Sequence, residues 1–218
     1  MQLAKTALGL LLVCSTIAGC TTADPTAYTG LSSSSRLKPN VADKGGREPY
    51  RYQGNVDWRQ YNKVIVDPVT IYSGTDAQFA KVAPGDRSTL AAYMQAQFTE
   101  KLKSRFAIVS MPDPGTLRLH LTLTGAKTTT PVLGTLSHID IAGGVYNGVQ
   151  AVRGGEGSMT GSVNYAVEVY DATTNELLLA YVSKQYPNAM NVGASVGTLK
   201  ASMVGIEKGA DALLDKLN

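Results

Sequence analysis

Between Thr116 and Thr124 apolar and polar residues alternate without a break. Leu117, Leu119, Leu121 and Leu123 fall on one side, and Arg118, His120, Thr122 and Thr124 on the other. A period of two is the mark of a half-buried β-strand, so the chain must build a sheet and cover its leucine side with a second layer. Material for that layer is present. Leu90, Tyr93, Met94, Phe98, Leu102 and Phe106 recur every three or four residues, as on one face of a helix capped by Ser88 or Thr89. Leu199, Met203, Ile206, Ala210, Leu213 and Leu217 mark a second amphipathic helix. Leu119 and Leu121 are expected to pack under the first helix, and His120 to point the other way.

Further strands follow from the same logic. Residues 63–70 (KVIVDPVT) read as a short buried strand ended by Pro68, and the polar stretch Ser73 to Asp86, with Pro84-Gly85, as a loop. Ala107 to Ser110 reads as a short strand before the turn Pro112-Asp113-Pro114-Gly115. Ser162 to Tyr170 and Glu176 to Lys184 alternate around the turn formers Asp171 to Asn175, which predicts a hairpin. Strands cluster late instead of alternating with helices. The fold class is therefore α+β: a mainly antiparallel sheet with two amphipathic helices packed on one face.

The N-terminus carries a different message. A short segment with Lys5 precedes an apolar core from Ala7 to Val13, the layout of a secretory signal and too short to span a bilayer. It closes on Ile17-Ala18-Gly19-Cys20, which resembles the bacterial lipobox. That resemblance implies cleavage after Gly19, a diacylglycerol on the Cys20 thiol and acylation of the freed amine; two or three acyl chains anchor a protein firmly. The alternative is an ordinary cleaved signal with a chance cysteine. By analogy with Gram-negative lipoproteins, Thr21, which is not aspartate, implies sorting to the outer membrane, facing the periplasm. In a host with a single membrane the lipobox implies the outer face of that membrane instead.

Cys14 and Cys20 are the only cysteines, so the mature body has no free thiol and no internal disulfide once the signal is removed and Cys20 is lipidated. Removing residues 1–19 leaves 218 − 19 = 199 residues, enough for one packed domain. The expected organisation is a signal peptide at 1–19, a lipidated tether and strap at 20–55, and a folded domain at 56–218. Residues 21–55 are rich in Thr, Ser, Pro and Gly, and their first part reads as flexible. Fully extended, such a segment reaches on the order of 110 Å. Within it, isolated apolar groups at Tyr28-Thr29-Gly30-Leu31 and at Leu37 suit an extended strap docked on the domain.

Residues 131–161 form an insert with eight glycines. It lacks the strand–Gly-x-Gly-x-x-Gly–helix arrangement of a phosphate loop. Gly144 and Gly148 have the spacing of a small-residue helix contact. A third reading is a mobile insertion with a helical piece near Ile139 to Val152. Irregular inserts are where binding concentrates, so Ile139, Ile141, Val145, Tyr146 and Val149 are the candidate partner-contact residues. The same residues serve equally as cover for an open face or edge of the sheet.

Chemistry is harder to find. The histidines are His120 and His138, the latter near Asp140 in the insert. No nucleophile elbow, HExxH, CxxC or EF-hand spacing is present, and the carboxylates Asp67, Glu168 and Asp171 are separate in sequence. No catalytic residue, metal ligand or cofactor is therefore assigned. The net charge of +3, without a Lys/Arg run, gives no reason to expect nucleic acid.

Several short motifs carry a family resemblance. They are the lipobox, Gly30-Leu31, Ser35-Arg36-Leu37-Lys38-Pro39, Tyr61 to Val69 (YNKVIVDPV), and Asp171 with Glu176-Leu177-Leu178. Together they resemble the DUF3313 group, bacterial lipoproteins of undetermined function; the chain departs from the pattern at Ser34, where an aromatic is common. The resemblance implies a periplasmic lipoprotein and supplies no activity. The expected function is a lipid-anchored binding or assembly module of the cell envelope, its partner an unknown envelope protein or polymer. The alternatives are a hydrolase of envelope polymers and a structural lipoprotein without a specific ligand. An enzyme is expected to bring His120 or His138 within hydrogen-bond reach of a serine or carboxylate in a pocket. A binding module is expected to show an exposed apolar or glycine-rich surface instead.

Overall fold

The computed structural model describes residues 24–79, 81–129, 161–188, 191 and 197–218. Gly19, Cys20, Thr21, His138, Asp140 and the insert residues Ile139, Ile141, Val145, Tyr146 and Val149 lie outside the described residues.

In chain order the elements are β1 (Lys38–Pro39), β2 (Tyr50–Gln53), a 3-10 turn (Trp58–Gln60), β3 (Lys63–Val66), β4 (Thr70–Ile71), α1 (Pro84–Leu102), β5 (Ala107–Ile108), β6 (Thr116–Lys127), β7 (Ser162–Asp171), β8 (Leu177–Gln185) and α2 (Lys200–Lys216). The sheet runs β1-β2-β8-β7-β6-β3-β5, with β4 on β6 past the end of β3. β6, β7 and β8 pair antiparallel in sequence order, and the short turn between β7 and β8 makes the hairpin that their alternation predicts. β3 and β4 run parallel to β6, and β5 parallel to β3, which α1 makes possible as the crossover between β4 and β5. Two helices thus pack on a mostly antiparallel mixed sheet, the architecture the periodicities predict.

One face holds the main core. Leu117, Leu119, Leu121 and Leu123 of β6, with Val163, Tyr165, Val167 and Val169 of β7, pack against Leu90, Met94, Phe98 and Leu102 of α1 and Ile206, Ala210 and Leu213 of α2. The Phe98 and Tyr165 rings meet edge-on at 5.8 Å. α2 also buries Ala201, Gly205 and Gly209, a stripe of small residues that the larger apolar period hides. A Cβ at Gly205 would stand 2.8 Å from the Gln185 carbonyl oxygen, and one at Gly209 2.1 Å from the Tyr165 hydroxyl. These two positions set how closely the helix approaches β7 and β8.

α1 begins earlier than the Ser88 or Thr89 cap predicts. Pro84 occupies its first turn, where a missing N–H costs nothing, so the expected loop ends at Ala83. The Ser88 and Thr89 hydroxyls donate back to the Pro84 and Gly85 carbonyls, at 3.3 and 3.0 Å, as residues inside a helix do.

The second face differs most from expectation. Alternation predicts a wet side, yet almost all of β7 and β8 is buried on both faces. The cover comes from the N-terminal segment. Tyr28 (1% exposed), Leu31 and Leu37 insert among Tyr72, Ala166, Tyr170, Ala180 and Val182 to form a second core. Described residues from Asp24 onward therefore lie against the sheet, and β2 extends it by pairing with β8. β1, which contains Pro39, sits at the edge, where a proline removes no central ladder bond.

Candidate functional site

An Asp-Pro step builds the most polar place on the strap-covered face. Val66 of β3 is level with Leu119, and Thr70 of β4 with Thr122. The outer strand therefore advances four positions while β6 advances three. The extra residue is a bulge, and Pro68, which has no N–H to donate, sits inside it. The bulge's other backbone donor is satisfied from the helix layer, where Gln95 Oε1 accepts the Val69 N–H at 2.8 Å. The Asp67 N–H still donates to the Leu119 carbonyl at 3.0 Å. Asp67 is held there with its side chain turned toward β6.

Its carboxylate meets two residues from the polar side of β6. His120 Nε2 lies 2.7 Å from Asp67 Oδ2, and Arg118 Nε donates to the same oxygen at 3.1 Å. On the other flank of His120, Glu168 of β7 is its cross-strand partner. The His120 ring packs on Tyr170, centroid to centroid 5.1 Å. Asp67 thus reaches His120 across 53 positions of sequence, with Glu168 as the cross-strand neighbour of the histidine; the carboxylates, separate in sequence, are not isolated in the fold.

The strap roofs this cluster through its backbone. Ser33 N–H donates to Glu168 Oε1 at 2.6 Å, and the Tyr170 hydroxyl donates to the same oxygen at 3.3 Å. Burial, and next the Glu168 charge, pushes Tyr170 up to about 12, so it remains a donor at neutral pH. Gly30 N–H donates to the Tyr72 hydroxyl at 2.9 Å, and Thr29 N–H to Asp76 Oδ2 at 3.0 Å. Tyr72 in turn donates to Asp76 Oδ1 at 2.7 Å, the main cause of the lowered Asp76 pKa. Between strap and sheet remains a cleft of about 310 Å³, lined by Gly30 to Ser32, Asp67, Pro68, His120, Thr122 and Glu168 among others. Its walls present both donors and acceptors, which suits a polar ligand that can satisfy them.

His120, one of the two histidines singled out from the sequence, therefore belongs to this cleft. The cluster around it went unnoticed because Asp67 follows β3 while His120 and Glu168 sit on β6 and β7, far apart in sequence. The signal available was the Asp-Pro step itself, which marks a break inside a strand pattern. Among the described residues no group of three or more His, Cys, Asp or Glu could hold a metal ion, and no helix is long and apolar enough to cross a membrane.

Three comparisons bear on identity. The chain matches the family described as "Protein of unknown function (DUF3313)" over residues 27–213. No curated protein matches it in sequence. Among solved structures it is similar to the PelC dodecamer from Paraburkholderia phytofirmans, at a TM-score of 0.36 and 11% identity, covering 72% of this chain and 92% of that one. It is also similar to the hypothetical protein CT253 from Chlamydia trachomatis, at a TM-score of 0.39 and 12% identity, covering 72% and 97%.

Proposed function

Because the chain belongs to the DUF3313 family, whose function is unknown, we propose a role from its own residues: a lipid-anchored envelope protein that works by binding, with the strap-roofed cleft as its ligand site. The anchor rests on the Ile17–Cys20 lipobox, with delivery to the outer membrane following from Thr21. The observation that carries the binding reading is how the acidic groups of the cleft are engaged. Glu168 holds the strap, and Asp67 is shared between Arg118 and His120. These bonds fix the shape of a receptor. The ligand that fits is a polar unit of an envelope polymer or an envelope protein.

A photocrosslinking side chain at Thr70, on the rim of the cleft, tests this in intact cells against the same group at Met111, far from it. An adduct of discrete mass from position 70 alone, weakened by Asp67→Asn, is the expected result. Equal adducts from both positions, or none from either, would remove the cleft as the site.

One observation favours a second reading. His120 reaches a carboxylate inside a cleft, the geometry expected of a general base, and a hydrolase is the activity that would use it. If His120→Ala abolishes function in a folded protein that still gives the position-70 adduct, the hydrolase replaces the binding module.

A further inference from the structure

The first described residue after the lipobox, Asp24, is pinned to one end of the sheet. Gln78 Nε2 donates to the Asp24 carbonyl at 2.9 Å, and Lys184 Nζ lies 3.4 Å from Asp24 Oδ1. Gln78 is itself fixed, since its Oε1 accepts from the Tyr28 hydroxyl at 2.7 Å and from Asn164 Nδ2 at 2.8 Å, and its backbone bridges to Gly125 of β6. Asp24 is thus bound through side chain and backbone to the end of the sheet where β6 stops and β7 begins.

Only residues 21–23 separate Asp24 from Cys20. Four residue steps span at most about 14 Å of extended chain. That is much shorter than the sheet, because a twelve-residue strand such as β6 is about 40 Å long. From these lengths we infer that this end of the sheet rests against the phospholipid headgroups while the opposite end points away from the membrane. The inference rests on the proposal that Cys20 carries the lipid.

The same end gathers other features suited to a bilayer surface. The loop between β1 and β2 reaches it, its Arg47 carbonyl accepting the Lys184 N–H at 2.8 Å, and Val41 in that loop is 94% exposed. Lys44 in this loop, Lys81 just past Gln78 and Lys200 at the start of α2 are exposed. Of the acids in this loop, Asp43 is occupied by the N–H groups of Gly45 and Glu48, and Glu48 pairs with Arg51 and Lys216. Exposed lysines beside an exposed apolar side chain complement anionic headgroups and the boundary beneath them. The far end carries the Asp171–Asn175 turn and the Asp113–Gly115 turn, which meet there through Ala172 N–H and the Thr116 carbonyl.

Orientation is measurable with the full lipidated chain, because the mature body contains no other cysteine. Val41→Cys, Lys81→Cys and Met111→Cys are each labelled with a fluorophore and reconstituted on vesicles of phosphatidylethanolamine and phosphatidylglycerol carrying a headgroup quencher. Quenching at positions 41 and 81 is expected to exceed that at position 111 at least threefold. Inserting twenty Gly/Ser residues between Thr22 and Ala23 is expected to erase the difference while vesicle binding stays intact. Equal quenching in the parent chain, or a difference that survives the long linker, overturns the inference and leaves lipidation standing. An N-terminal peptide of the parent chain that carries no acyl groups by mass overturns the lipidation reading and the inference with it.

Discussion

The Ser33 backbone N–H donates to the buried Glu168 carboxylate at 2.6 Å, joining residues 135 positions apart in sequence. Glu168 is only 4% exposed, and its Oε1 is matched by that bond and by the Tyr170 hydroxyl. A buried acceptor of this kind is costly to leave unmatched. Glu168→Ala leaves the Ser33 donor without its partner and is expected to cost about 2–3 kcal/mol. The strap should loosen first. Trypsin cleavage after Arg36, which is exposed, should accelerate well before the sheet unfolds; cleavage at the parental rate would show that the strap is held chiefly by Tyr28 and Leu31.

Leu119 and Leu121 face the α1 side of the sheet and are buried to about the same degree. Truncating either to alanine is expected to cost roughly 2–5 kcal/mol in equilibrium denaturation, through lost burial and a residual cavity. His120 lies between them on the opposite face, so His120→Ala should cost much less. Equal losses at positions 119 and 120 would contradict the register.

The layers were readable because their signals are local. A period of two at Thr116–Thr124 and a period near 3.6 at Leu90–Phe106 each need only a dozen residues, and the turn formers at Asp171–Asn175 fix the hairpin between β7 and β8. The strap was readable only as scattered apolar residues, because Tyr28 and Leu31 gain their meaning from Ala166, Ala180 and Val182, more than a hundred residues away. The cleft was harder still. Whether Asp67 reaches His120 depends on a one-residue mismatch between β3–β4 and β6, and no composition or spacing within either strand encodes it. Arg118, His120 and Thr122 thus read as an ordinary solvent face, although Thr122 is buried and His120 lines the cleft under the strap.

Glycines on α2 separate packing from propensity. Alanine is the better helix former by about 1 kcal/mol, yet Gly205→Ala and Gly209→Ala push a methyl group into the Gln185 carbonyl and the Tyr165 hydroxyl respectively. Overpacking of this kind costs about 1–3 kcal/mol and should outweigh the gain. Gly85, in the first turn of α1, has nothing within 4 Å of where a Cβ would lie. Gly85→Ala should therefore leave thermal stability unchanged or raise it, while the two α2 variants lower it. A fall at position 85 equal to that at 209 would mean that packing is not the cause.

Asp171 supplies the pH-dependent test. Burial alone would raise its pKa, but the Thr173 hydroxyl, the Thr174 and Thr173 N–H groups and the Tyr61 hydroxyl together hold it well below the usual carboxylate range. The bonds are short: 2.6 Å from Thr173 Oγ1, 2.8 and 2.9 Å from the two amides and 2.9 Å from Tyr61. Tyr61 is itself pushed up to about 12, by burial first and then by this bond, so it stays protonated throughout acid titration. A carboxyl whose folded pKa is depressed stabilises the fold fully above its unfolded value, near 3.9, and loses that contribution as pH falls toward the folded value. Asp171→Asn cannot accept all four bonds and is expected to lower stability by about 1–3 kcal/mol at pH 7. Parent and variant should converge as pH drops below about 4, because there the parent gives up what the variant never had. Denaturation curves for both at pH 7, 5, 4 and 3 read the difference directly. A gap that stays constant down to pH 3 would show that the turn is held by its backbone geometry and not by the Asp171 charge.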